Sequence, residues 1–193
     1  MRNLLAFAAV VLGAVAAAVA ADDRTLKVIS SKALPAIEAV AVYKAGTVKP
    51  GKERPKPVLT IKKLGDAVAL PGQGPYDVFA KPKGGIEVLI AGKLTVKPGQ
   101  AHELKLGDLL GVIEVFQAGD FPKVDKIVVT ATDDSGPDEK GHVAVQSGSD
   151  YRVEMAVPEG FYAVWLVPAN GARAQRIADR IRVVPGKHVR VGE

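Results

Sequence analysis

Gly160-Phe161-Tyr162-Ala163-Val164-Trp165-Leu166-Val167-Pro168-Ala169-Asn170-Gly171 can be laid over Gly74-Pro75-Tyr76-Asp77-Val78-Phe79-Ala80-Lys81-Pro82-Lys83-Gly84-Gly85. Gly, Tyr, Val, Pro and Gly recur in register, and Phe79 sits over Trp165. One residue out of step downstream, Lys97-Pro98-Gly99 falls on Val184-Pro185-Gly186, each followed by a last alternating stretch. Upstream, Val42-Tyr43-Lys44-Ala45-Gly46 lies over Val115-Phe116-Gln117-Ala118-Gly119. Blocks recurring in the same order are the mark of an internal duplication. The expected division is a module over 22–107 and a second over 108–193, joined at Leu106-Gly107-Asp108 with no Ser- or Pro-rich linker. So short a join leaves the modules little freedom to swing.

Within each copy the periodicity is that of strands. Val58-Leu59-Thr60-Ile61, Ile127-Val128-Val129-Thr130 and Val143-Ala144-Val145 are short β-branched runs bounded by turn residues. Tyr151-Arg152-Val153-Glu154-Met155-Ala156-Val157 alternates apolar and polar, and so does Arg180-Ile181-Arg182-Val183. Thirteen prolines and twenty glycines interrupt any long helix. The expected fold is therefore all-β: two tandem small antiparallel β-sandwich modules.

The segment from Val157-Pro158-Glu159-Gly160-Phe161-Tyr162 to Val184-Pro185-Gly186-Lys187 resembles PEGA-type and carboxypeptidase-regulatory-like modules. The shared outline is Pro-x-Gly-x-Tyr-x-Val, a glycine turn, an alternating strand, then Pro-Gly and a final strand. The first copy departs from it where Pro71-Gly72-Gln73-Gly74 lengthens the turn. The resemblance implies small immunoglobulin- or transthyretin-like sandwiches of bacterial surface and periplasmic proteins. It carries no catalytic residues.

Outside the repeats, residues 1–21 read as an address. Met1-Arg2-Asn3 is followed by an uncharged run from Leu4 to Ala17, small residues at Ala18-Val19-Ala20-Ala21, and then Asp22-Asp23. That is the layout of a cleaved signal peptide, and it implies a periplasmic or secreted protein. An uncleaved anchor is the alternative, but the run is Ala-rich and barely long enough to span. The chain has no cysteine, so disulfide staples, thiolate metal sites and a Cys nucleophile are excluded. With 48% apolar but only 5% aromatic residues, the cores must be built from Val, Ile, Leu and Ala.

Charge is distributed unevenly. Residues 22–107 hold fifteen Lys or Arg against eight Asp or Glu, a formal +7, whereas 108–193 hold ten against thirteen, a formal −3. Lys49, Lys52, Arg54 and Lys56 alternate with Pro50, Pro55 and Pro57, and the prolines should keep this loop extended with its cations in solvent. Such a display attracts an envelope protein with an acidic surface, an anionic envelope polymer or a membrane surface. It is also what a loop carrying lysines for solubility would look like. No aromatic residue is interleaved as a stacking platform, so nucleic acid is not an expected partner.

Trp165 and Phe79 are the aromatic candidates. Alternation puts Tyr76, Val78 and Ala80 on one face, with Phe79 on the other, and Tyr162, Val164 and Leu166 opposite Trp165. Trp165 either covers the sheet or forms an exposed platform on which a sugar ring stacks. Asp133, Asp134, Asp138 and Glu139 supply oxygen ligands within seven residues, but the spacing fits no EF-hand loop and the residues are those of an ordinary polar hairpin turn, so Ca²⁺ binding is the weaker alternative. His102 and His188 stand at near-equivalent places after the Pro-Gly turns, which the duplication explains without a metal. No G-x-S-x-G, H-E-x-x-H, phosphate loop or dinucleotide fingerprint occurs, and neither a cofactor nor catalysis is expected. The expected role is a non-catalytic adaptor or structural protein of the cell envelope. Carbohydrate binding through Trp165, and self-association of the +7 half on the −3 half, are the other readings.

Overall fold

In a computed structural model, both quoted segments are strands, and alternation sorts their side chains as expected. The structure describes residues 23–49, 52–117, 123–132, 136–137, 142–148 and 151–192. The leader and the acidic turn with Asp133, Asp134, Asp138 and Glu139 lie outside the described residues. Among the described residues no helix is long and apolar enough to cross a membrane.

The described residues form fourteen strands and one 3₁₀ turn. The first seven strands are β1 (Thr25–Ile29), β2 (Ile37–Lys44), β3 (Leu59–Ile61), β4 (Ala67–Ala69), β5 (Tyr76–Pro82), β6 (Val88–Leu94) and β7 (Ala101–Lys105). After the 3₁₀ turn Leu106–Asp108 come β8 (Leu110–Gln117), β9 (Val124–Ala131), β10 (His142–Gly148), β11 (Tyr151–Pro158), β12 (Gly160–Pro168), β13 (Gln175–Val183) and β14 (His188–Val191). They make four sheets, ordered β4-β1-β7, β3-β2-β5-β6, β11-β8-β14 and β10-β9-β12-β13. Adding seven to each strand number of the first pair of sheets reproduces the second pair, so the two halves share one topology.

Each half draws one apolar cluster from both of its sheets. Leu26, Val28 and Leu104 of one sheet meet Val40, Val42, Val78 and Ala80 of the other. In the second half, Ile113, Val115 and Met155 meet Ile127, Val129, Val164 and Leu166. Aliphatic residues dominate, as the low aromatic content requires. Two tyrosines enter at matching points. Tyr76 donates its hydroxyl to Gly72 O at 2.7 Å, and Tyr162 donates to Pro158 O at 3.0 Å, each four residues upstream. Burial pushes the Tyr162 hydroxyl up to about 12.

Three sequence expectations need correction. First, the sheets are not purely antiparallel: β1 pairs with β7, and β8 with β14, in parallel. The opening and closing strands of each half lie side by side, and the intervening chain crosses to the other sheet and back. An immunoglobulin-type sandwich groups its strands A, B, E and D in one sheet. Here the first and fourth strands sit with the seventh, so that arrangement is not the one adopted. Second, the upstream block was matched between unlike strands. Val42-Tyr43 lies in β2, the second strand of its half, and Val115-Phe116 in β8, the first of its own. A Val-aromatic pair leading towards Ala-Gly is a common strand ending and carries little positional information. Third, His102 and His188 are not equivalent. His102 stands across from Leu26, which enters the first core, whereas His188 stands across from Val112, beside rather than in register with inward-facing Ile113. One residue of offset in a strand reverses the face.

Candidate functional site

The basic loop before β3 does not float as a whole. Arg54 reaches back over the outer face of the β3-β2-β5-β6 sheet, its guanidinium 4.8 Å from the Phe79 ring centroid. Its Nη1 donates to Glu87 Oε2 at 2.6 Å. Tyr43 meets Phe79 edge-on at 5.5 Å and donates its hydroxyl to the same Glu87 oxygen at 3.3 Å. Burial, then the Glu87 charge, raises the Tyr43 hydroxyl above its ordinary range. Arg54 is thus an anchor rather than a displayed cation, because a ring face and a carboxylate outcompete open water for a weakly hydrated guanidinium. Lys49, Lys52 and Lys56 are exposed, and none joins an ion pair among the described residues. The loop therefore offers three lysines around one pinned point. The clamp residues Tyr43 and Glu87 carried no sequence signal, since the contact spans more than thirty positions.

Trp165 occupies the matching place on the other four-stranded sheet. It is partly buried, its indole N–H donates to Thr130 Oγ1 at 3.0 Å, and Arg176 lies 5.2 Å from its ring centroid. Each half thus carries an aromatic residue on the outer face of its larger sheet with an arginine over it. The more exposed aromatic nearby is Phe161, 53% exposed at the start of β12, which sequence reading passed over as part of the repeat. Phe161, Arg180, Glu159, Thr132 and Tyr162 border a groove of about 430 Å³.

On the β11-β8-β14 sheet, Glu114 is buried to 4% exposure between two arginines. Arg152 Nε lies 2.6 Å from Glu114 Oε1, and Arg190 Nε 2.9 Å from Oε2. The first half carries the same cross-strand pair with its signs exchanged: Lys27 opposite Glu103. Glu114, Glu154 and His188 also bring ligand-capable atoms within 4.8 Å of one another. The two guanidiniums already neutralise Glu114, and His188 Nε2 donates to Ala33 O at 2.6 Å, so this cluster works as ion pairing and as a bond between the halves.

Burial alone would raise the Glu114 carboxyl, but Arg190 and Arg152 outweigh it and hold it below its ordinary value. A carboxyl lowered in the folded state contributes stability above its unfolded pKa and loses it as pH falls through the folded value. The urea midpoint of wild type should therefore exceed that of Glu114→Gln at neutral pH, and the gap should narrow steadily on acidification from the ordinary carboxyl range downward. A gap independent of pH would show that the arginines contribute nothing through charge.

No protein-family model matches the chain, and no curated protein matches it. Among solved structures it is similar to the Bacillus anthracis TIE protein, with 13% identity and a TM-score of 0.29 over 88% of this chain and 33% of that one. It is also similar to a leucine-rich repeat protein from Bacteroides thetaiotaomicron, with 13% identity and a TM-score of 0.22 over 88% of this chain and 26% of that one. The chain thus spans a third or less of the length of either.

Proposed function

We propose that this is an exported, non-catalytic binding or scaffold protein of the cell envelope. In this reading, residues 22–107 and 108–193 are two tandem sandwiches of the PEGA-like or carboxypeptidase-regulatory-like kind. Of the two sandwich types that resemblance implies, the sheet orders favour the transthyretin-like one, because the immunoglobulin grouping is absent. The signal-peptide pattern of residues 1–21 supports a periplasmic or secreted location.

One observation carries the binding role: Lys49, Lys52 and Lys56 are exposed, and unpaired among the described residues, on a loop whose Arg54 is clamped by Phe79 and Glu87. A cation on a held loop meets an anionic envelope polymer, or an acidic protein face, with less ordering entropy to lose than one on a free segment. Its attraction is also screened by salt, over about 10 Å at 0.1 M.

Co-sedimentation of the mature chain with envelope material should show binding at about 50 mM salt that falls roughly tenfold or more by about 500 mM. Lys49→Gln, Lys52→Gln and Lys56→Gln together should produce a similar loss at low salt without moving the urea midpoint. Wild-type binding that is equal at both salt concentrations, or a triple variant that binds as wild type, would sink the electrostatic reading.

A further inference from the structure

The geometry points to the Phe161–Arg180 groove as a binding site for an acidic polysaccharide, with a sugar ring on Phe161 and its carboxylate on Arg180. This deepens the envelope-polymer reading by naming the polymer's chemistry and a second place where it is held.

Phe161 is 53% exposed on the wall of a groove of about 430 Å³, an unusual position for a phenyl ring in a fold whose other apolar residues mostly enter two cores. Its cross-strand neighbour is Arg182, and Arg180 shares the groove with it. With Arg176 paired to Asp179 at 3.5 Å on the same strand, β13 leaves Arg180 and Arg182 beside Phe161, against Glu159 as the acidic residue among the described residues of the groove. That balance selects an anion.

The backbone supports the same conclusion. Arg180 has φ 51°, a left-handed conformation that costs a side-chain-bearing residue about 1 kcal/mol. It lies where the β12–β13 register shifts, and its N–H donates to Asp179 Oδ1 at 3.0 Å. The first half builds the same feature: Lys93 has φ 53° beside the β5–β6 register shift, and its N–H donates to Asp77 Oδ1 at 2.9 Å. A bulge that puts a basic residue in a strained conformation twice re-aims that cation in both halves.

A sugar fits better than a peptide. β12 is hydrogen-bonded on both sides, to β9 and β13, and the sheet's free edge on that side, the far side of β13, is interrupted by the bulge at Arg180, which breaks the regular ladder an extended peptide would need. Recognition in the groove therefore rests on side chains. A pyranose presents an apolar C–H face for Phe161 and hydroxyls at its edge for Glu159.

The test titrates an oligogalacturonate into the full mature chain at low salt, by calorimetry and by Trp165 fluorescence, with a neutral glucan oligomer of equal length and an oligoglutamate of equal charge as comparators. The acidic sugar should bind at least tenfold more tightly than either comparator. Phe161→Ala and Arg180→Gly should each weaken it tenfold or more. Glycine relieves the left-handed strain at position 180, so an unchanged or raised urea midpoint would show that lost binding is not lost folding. The triple variant Lys49→Gln, Lys52→Gln and Lys56→Gln should bind the oligomer within twofold of wild type. If that variant loses binding while Phe161→Ala and Arg180→Gly keep it, the groove is not the site and the loop stands alone. If the groove variants lose binding while the loop variant keeps both oligomer and envelope material, the groove stands and the loop falls. Equal affinity for the glucan or the oligoglutamate would overturn the acidic-sugar assignment.

Discussion

Gly111→Ala is expected to lower stability by about 3 kcal/mol, at the upper end of what overpacking in a core usually costs. An added Cβ would stand 2.5 Å from Val183 Cγ1 and 2.5 Å from the carbonyl oxygen of Val184. The valine methyl could rotate away, but the carbonyl cannot. The backbone there is held on both sides of the glycine: Gly186 N–H donates to Leu110 O at 2.9 Å, and Val112 N–H donates to Lys187 O at 2.9 Å. Relief would require the 184–187 turn to lift from β8, breaking those bonds and opening the way into the second core beside Val183, which is fully buried. Urea unfolding of wild type and variant reads the loss. A change below about 0.5 kcal/mol, the size of an ordinary surface substitution, would mean that the turn yields freely.

Leu110→Ala should cost a similar amount, about 3 kcal/mol, but its effect should be felt in the other half of the molecule. Leu110 opens β8, yet its fully buried side chain belongs to the first apolar cluster. Alternation explains this: Ile113 and Val115 turn towards the second core, while Leu110 and Val112 take the opposite face. Ala156 on the neighbouring β11 also joins the first cluster, and His188 of β14 bonds to Ala33 in the β1–β2 connection. The outer face of the β11-β8-β14 sheet is therefore where the first half seats. Deleting the Leu110 side chain should speed amide exchange in β1, β2 and β5 as well as β8, and both halves should melt in one transition. Exchange that changes only within β8–β14, or two resolved transitions, would show that the halves are energetically independent.

Much of this was open to a reader of the sequence. The strands at 59–61, 127–130, 143–145 and 151–157 announce themselves through β-branched runs and two-residue alternation between turn residues. The overlay of Tyr76-Asp77-Val78 on Tyr162-Ala163-Val164 located the central strand of both larger sheets and the inward tyrosines. The Val42 and Val115 overlay misled because it matched a strand ending rather than a strand. Arg54 is instructive: its place between prolines suggested a cation in solvent, and its true neighbours, Phe79 and Glu87, are distant in sequence. Phe161 was hidden in another way. As a member of the repeated segment it read as framework, and only its place on the outer face of the sheet, uncovered among the described residues, leaves its ring exposed.

By itself, the sequence determined what depends on near neighbours along the chain: strand identity, turn positions, the inward face of each strand, the duplication and the imbalance of charge. Period-two alternation and turn chemistry are local, so they survive without knowledge of what packs against them. Tertiary structure alone decided the parallel meeting of the first and last strands in each half, the burial of Leu110 and Ala156 against the other half, the clamping of Arg54 and the exposure of Phe161. Each of these turns on which outward face finds a distant partner, and alternation labels a face without saying what will cover it.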